Sequence, residues 1–201
     1  FVYLVRAELV YGDSAAAIGL PAGVLNILTG AAVTGMALTS DKRLAKLSFT
    51  GSNAIGSRVM QAASARCQPV SLELGGKSPI VVFEDAPIDS AVEQIVAGIF
   101  FNCGQMCSAT SRLILARSLR DTLMPALIER CKNLKFGSPF EDGVEMGPLS
   151  NLPQFTKIAS VFEQAKNDGL TCLVGGEMPT DAGGWSVPPT IYDDIPLDHA
   201  F

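Results

Sequence analysis

Three short stretches of this chain hold residues of the types that do chemistry. In FFNCGQMCSATSR (100–112), Cys107 follows an apolar run and sits among small and polar residues, with Gly104 close by. A glycine-bearing turn can present a thiol beside backbone N–H groups, and such donors serve both the nucleophile and the oxyanion that it creates. Asn102 and Gln105 are placed to brace that turn by hydrogen bonds. The alternative for any cysteine is an inert buried side chain, the reading given to Cys67, Cys103, Cys131 and Cys172. In ELGGKSP (73–79), Glu73 precedes two glycines, so the backbone beside it can swing and the carboxylate can act as a general base. A surface carboxylate at a strand end is the plainer alternative. In FTGSNAIG (49–56), a strand running through Gly51 into Ser52 at a helix start points backbone N–H groups at an anion such as a pyrophosphate. Gly56 allows close contact of helix and sheet. This stretch is not GxGxxG, and taken alone it is better explained as a capped helix after a strand.

Composition narrows the options. The chain has 201 residues, 48% hydrophobic, with 15 basic and 20 acidic side chains. No basic run stands out, which argues against a nucleic-acid partner. Five cysteines form no CxxC pair and the single histidine, His199, is remote from them, so no metal site is expected and free thiols in a reducing compartment fit best. The same lone histidine disfavours a Cys-His or Ser-His hydrolase. No apolar run nears the roughly 20 residues of a membrane span. The first ten residues lack the features of a signal peptide, and both ends of the sequence read as cut.

Strands and helices alternate along the chain, which predicts an α/β fold with a largely parallel sheet. Residues 13–18 end a helix stopped by Gly19 and Pro21. Strands are expected at VLNILTG (24–30), KLSFTG (46–51), PVSLEL (69–74), SPIVVFE (78–84) and TCLVGG (171–176), with the apolar run RLILARS at 112–118. The segments at 69–74 and 78–84 flank a Gly-Gly turn. A helical turn is expected at 41–45, and a helix at 52–65 capped by Ser52 with Ile55, Val59, Ala62 and Ala63 at helical spacing. Further helices run from a cap at Asp89 to about Phe101, with Val92, Ile95, Val96 and Ile99 on one side, and over about 121–133 and 152–168. A change of domain falls near residues 70–76, giving domains 1–73 and 74–201.

In this order, FTGS, ELGGKSP and NxGQxC resemble the aldehyde dehydrogenase superfamily, with Glu73 and Cys107 separated by 34 residues as in the family. GLPAGVLNILTG (19–30), PVSLELGGKSPIVVF (69–83), CSATSR (107–112) and MGPL (146–149) extend the resemblance over residues 19–195. The wording VSLELGGKSPIVVF and CSATSRLI is most similar to the plant betaine-aldehyde and aminoaldehyde dehydrogenases. The resemblance implies an aldehyde dehydrogenase-like α/β fold. Residues 1–73 would be the C-terminal part of a Rossmann-type NAD(P)-binding domain, and 74–201 the N-terminal part of the catalytic domain.

It also implies roles. Cys107 attacks the aldehyde, hydride leaves the adduct for the nicotinamide, and Glu73 activates the water that releases the acid from a thioester. Gly51 and Ser52 contact the pyrophosphate, and Leu74 and Gly75 lie beside the nicotinamide. Phe100 and Phe101 either line the substrate tunnel or fill the core. The backbone N–H of Cys107 is one oxyanion donor; the family's second donor, an Asn, belongs to an N-terminal segment that these residues lack. The Lys-Pro-x-Glu strand that holds the adenosine ribose has Arg6-Ala7-Glu8 as its nearest counterpart, without the Lys, so the cofactor is NAD with NADP left open. The Glu-x-Phe-Gly-Pro segment and the oligomerisation arm are also missing. These gaps imply part of a longer enzyme, poorly active alone, whose whole is a homodimer or homotetramer acting on betaine aldehyde or an aminoaldehyde. The cytoplasm is the default compartment, with plastid or peroxisome allowed. Two other readings are a truncated, inactive product with an interaction role, and a cysteine hydrolase without nicotinamide.

Overall fold

The computed structural model describes residues 5–180 and 184–199. The chain forms two compact units, Phe1–Gly75 and Gly76–Phe201. In the first unit, helix α1 (Val5–Ala17) ends where the sequence predicts. Gly19 takes a left-handed φ of 76°, while the Leu20 N–H reaches the Ala15 carbonyl at 2.9 Å and the Gly19 N–H that of Ala16 at 3.0 Å. This closing pattern favours glycine and satisfies carbonyls that the helix leaves open. Arg6, Ala7 and Glu8, read as the nearest counterpart of a ribose-binding strand, lie within this helix.

The expected strand at 24–30 is absent. A strand exists only by pairing, and no described residue pairs with this run; Val24 and Leu28 are each 65% exposed. Next comes α2 (Ala32–Ser40), unforeseen because Thr and Gly lower its helix propensity and none of its side chains is buried. It is held from outside: the Arg66 guanidinium donates to the carbonyls of Thr39 (2.8 Å) and Ser40 (3.5 Å), at the negative end of the helix dipole. The segment at 41–45 is a hydrogen-bonded turn rather than a helical one.

Strand β1 (Leu47–Gly51), helix α3 (Asn53–Ser64) and strand β2 (Val70–Leu74) form a βαβ unit with a parallel pair. Leu47, Val59 and Ala63 are its buried core, packed against Phe49, Val70 and Leu72. Gly56 is buried where α3 crosses β2. A Cβ there would come within 2.5 Å of Leu74 Cδ2, so only glycine allows this approach without displacing Leu74.

The second unit repeats the plan with β3 (Pro79–Val82), α4 (Ile88–Phe100) and β4 (Arg112–Leu115), again a parallel pair. Because β2 pairs with β1 and β3 with β4, the Gly-Gly stretch joins strands of different sheets and makes no hairpin. Asp89 is not the cap of α4. The helix begins at Ile88 after an extended Pro87, and Asp89 lies in the first turn, where a carboxylate still favours the positive end of the dipole. Helices α5 (Arg120–Lys132) and α6 (Leu152–Asn167) follow, then an antiparallel pair, β5 (Thr171–Val174) and β6 (Ile191–Asp193). The three-residue β6 is too short to leave a periodic signal.

Val92, Ile95, Val96 and Phe100 of α4 meet Leu123, Leu127 and Cys131 of α5 in the main core. Leu123 is 0% exposed. Truncation Leu123→Ala should therefore cost about 2–5 kcal/mol, read as a lowered midpoint in a urea melt, and a change within error would show that this core is not close-packed. Among the described residues, no helix is long and apolar enough to cross a membrane.

Candidate functional site

In the first unit, Gly51 ends β1 and Ser52 caps α3, its hydroxyl accepting from the Ile55 N–H at 3.4 Å. The strand therefore delivers its C-terminal end directly to a helix N-terminus, whose leading N–H groups have no acceptor inside the helix. Thr50 and Glu73 are partners in the β1–β2 register, as are Gly51 and Leu74. Glu73 and Gly75 are exposed and Leu74 is half-buried against Gly56. All the residues proposed for the cofactor from sequence thus occupy the C-terminal ends of two adjacent parallel strands, where open α/β sheets bind their ligands.

In the second unit, α4 breaks abruptly. After Phe100, a 3₁₀ turn over Phe101–Gly104 contains Asn102 at φ 50° and Cys103 at φ 58°, followed by Gly104 at 69°. Three successive left-handed residues, two of them not glycine, reverse the chain within one turn. A Cβ on Gly104 would lie 3.1 Å from the Ile99 carbonyl as well as being strained. The chain then makes a turn closed by the Ala109 N–H to the Met106 carbonyl at 3.1 Å, with Cys107 and Ser108 at its two central positions. Cys107 is exposed, and its backbone N–H meets no acceptor among the described residues.

The turn is fastened to what precedes and follows it. Gln105 donates through Nε2 to the Asn102 carbonyl (3.1 Å) and accepts through Oε1 from the Ser150 N–H (2.9 Å). The Asn102 side chain reaches back to the Gln105 carbonyl at 3.5 Å. On the far side, Ala109 is buried and the Thr110 N–H bonds the Gly98 carbonyl of α4 at 3.0 Å. A Cβ on Gly98 would stand 2.3 Å from Thr110 Oγ1, so a larger residue at 98 would force the Thr110 side chain to turn away. Arg112 binds the 76–78 stretch through Ser78 O (3.2 Å from its N–H) and Lys77 O (2.8 Å from Nε), and a Cβ at Gly76 would lie 3.6 Å from the Cys107 carbonyl oxygen. The tail of ELGGKSP therefore runs alongside the cysteine turn. Of the two phenylalanines, Phe100 is a core residue (9% exposed) and Phe101 stands 66% exposed.

The five thiols differ. Cys131 is buried, and burial pushes its thiol up to about 11. Burial also raises Cys103 and Cys172 above the ordinary range. Cys67 and Cys172 are nonetheless exposed, so the expectation that they are buried, inert cysteines is corrected: Cys67 follows the last turn of α3 at a left-handed φ of 51°, and Cys172 lies on a sheet edge.

The model of the aldehyde dehydrogenase family matches residues 5–201. The chain belongs to that family, as the order of its three motifs led one to expect. Among curated relatives, it is 45% identical to the peroxisomal aminoaldehyde dehydrogenase 1 of Pisum sativum, an alignment covering 92% of this chain and 37% of that protein. It is also 45% identical to the chloroplastic betaine aldehyde dehydrogenase of Amaranthus hypochondriacus, over 89% of this chain and 36% of the relative. Among solved structures, PnpE from Pseudomonas sp. WBC-3 superposes with a TM-score of 0.90 at 36% identity, covering 96% of this chain and 40% of that one. The NAD+ complex of an aldehyde dehydrogenase from Bacillus cereus gives 0.89 at 35% identity, covering 96% and 39%. The fold is thus the α/β aldehyde dehydrogenase fold in part, and the chain spans little more than a third of the length of these relatives.

Proposed function

We propose that this chain carries the nucleophile and general base of an NAD(P)-dependent oxidation of aldehydes to carboxylic acids. The observation that carries the reading is the exposed Cys107 at the head of a tightly fastened turn, with a free N–H at the same residue, in a member of this family. Residues 1–73 are read as the C-terminal part of the nucleotide-binding domain and 74–201 as the N-terminal part of the catalytic domain. Gly51 and Ser52 suit a dinucleotide because the open N–H groups at the head of α3 would donate to a pyrophosphate, while Leu74 and Gly75 would flank the nicotinamide. NAD, when bound, supplies the hydride acceptor.

The residues of this chain do the rest. The Cys107 thiolate forms a C–S bond to the aldehyde carbon, and its own N–H stabilises the oxyanion of the thiohemiacetal. Loss of hydride leaves a thioester. Glu73 takes a proton from water as that water attacks the thioester carbon, the C–S bond breaks, and the acid leaves. Asn102 and Gln105 hold the turn, and Phe101, exposed beside it, lines the approach. Two kinds of relative support betaine aldehyde or an aminoaldehyde as substrate, and their names support peroxisome and plastid among the expected compartments. A homodimer or homotetramer is the expected assembly of the whole enzyme.

Iodoacetamide at neutral pH, read thiol by thiol by mass spectrometry, tests the assignment. Cys107 should be modified ahead of Cys67, Cys103, Cys131 and Cys172, and saturating NAD should slow that modification. Preferential labelling of another thiol, or indifference to NAD, would count against the site as drawn.

A further inference from the structure

One stretch that carries the family resemblance, MGPL (146–149), has no part in the chemistry above. Its position in the fold suggests a purpose. Residues 146–150 are pinned from several sides. Met146 is buried and pairs with Phe136, the Gly137 N–H bonds the Met146 carbonyl at 3.0 Å, and the Leu149 N–H bonds the Trp185 carbonyl at 2.9 Å. Just upstream, Arg130 of α5 bridges Glu145 and, at 2.9 Å, Glu93 of α4. Just downstream, Asn151 caps α6 through the Gln154 N–H at 2.8 Å. The segment is a fixed wall.

Against that wall leans the strained reversal at residues 102–104. Cys103 Sγ lies 2.8 Å from the Gly147 carbonyl oxygen and 3.4 Å from that of Pro148, and Gln105 Oε1 takes the Ser150 N–H. Left-handed backbone at two residues that are not glycine persists only where the surroundings over-determine it. The contacts to 147–150 are those surroundings, because Cys103 lies within the reversal, Gln105 follows it directly, and each binds a different point of the wall. We infer that residues 146–150 act as a clasp for the nucleophile turn, and that Cys103 is a positioning residue whose thiol donates to the clasp and so sets where Cys107 stands. Burial keeps that thiol protonated at neutral pH, as a donor must be. The inference rests on Cys107 being the nucleophile.

The test uses the whole enzyme in four versions: wild type, Cys103→Ala, Cys103→Ser and Gln105→Leu. Hydrogen exchange over residues 101–110 reads the clasp directly, and steady-state aldehyde oxidation reads its consequence. Cys103→Ala and Gln105→Leu should lose protection over this stretch and lower kcat by roughly tenfold with KM within about a factor of two, the pattern of a displaced reacting group. Cys103→Ser, which keeps a donor, should restore both. The inference is overturned if Cys103→Ala retains wild-type protection or kcat, or if Cys103→Ser fails as badly as Cys103→Ala, which would make the side chain's volume the cause. Gln105→Leu decides the matter should Cys103→Ala not fold. Should alkylation of Cys107 leave wild-type oxidation intact, the enzymatic assignment fails instead, while the exchange data still report on the clasp.

Discussion

Replacing Cys107 with alanine should remove aldehyde oxidation almost entirely, lowering kcat by about 10⁶-fold, the scale seen when an enzyme loses its covalent nucleophile. The expectation follows from what the turn offers. With the sulfur gone there is no thiohemiacetal, so hydride would have to leave a hydrated aldehyde, and no other thiol of the second unit can substitute. Cys103 is engaged with the Gly147 and Pro148 carbonyls, Cys131 is closed in the core, and Cys172, though exposed, donates to the Val174 and Gly175 carbonyls at the end of β5, outside the nucleophile turn. Folding should be untouched, because residue 107 is an exposed turn position that buries nothing. The measurement, made in the whole enzyme, is NADH absorbance under saturating NAD and aldehyde, beside a thermal melt. Retention of even a hundredth of the wild-type rate in a well-folded Cys107→Ala protein would remove Cys107 from the chemistry.

Replacing Glu73 with glutamine should act at a different step. General-base removal lowers turnover by roughly 10²–10⁴-fold, but the thioester can still form. Rapid mixing should then show one burst of NADH per active site followed by a slow steady state, and the acyl group should be found on Cys107 by mass spectrometry. The structure suggests why glutamine can stand here without damage: Glu73 is exposed at the penultimate position of β2, in register with Thr50, and no described side chain depends on its charge. A low rate without a burst would place Glu73 before hydride transfer and refute its role in hydrolysis. Together the two variants separate acylation from deacylation.

Reading the sequence went furthest where the signal is local. The helix at 52–65 was legible because Ser52 supplies a cap and the apolar spacing follows one helical face, and α4 because Val92, Ile95, Val96 and Ile99 recur with the helical period, although the structure buries Phe100 rather than Ile99 most deeply. It failed where partners decide. VLNILTG looks like a strand by composition, yet no described strand lies beside it, while α2 owes its end to a guanidinium 26 residues away. The cap of α4 was misplaced by two residues because an acidic side chain suits the first turn as well as the cap itself. The cysteines misled in the other direction: residue type alone says buried, and Cys67 and Cys172 are not.

The order and spacing of FTGS, ELGGKSP and NxGQxC by themselves determined the family, the chemistry to look for and the residues to suspect, because a reacting group must be of a given type and chain order is written in the sequence. Tertiary structure alone decided how the thiol is held. The close approach of Thr110 to Gly98 and the bonds from Cys103 and Gln105 to the wall at 146–150 join residues distant along the chain, and hydrogen bonds and van der Waals contacts reach only a few ångströms whatever the separation in sequence.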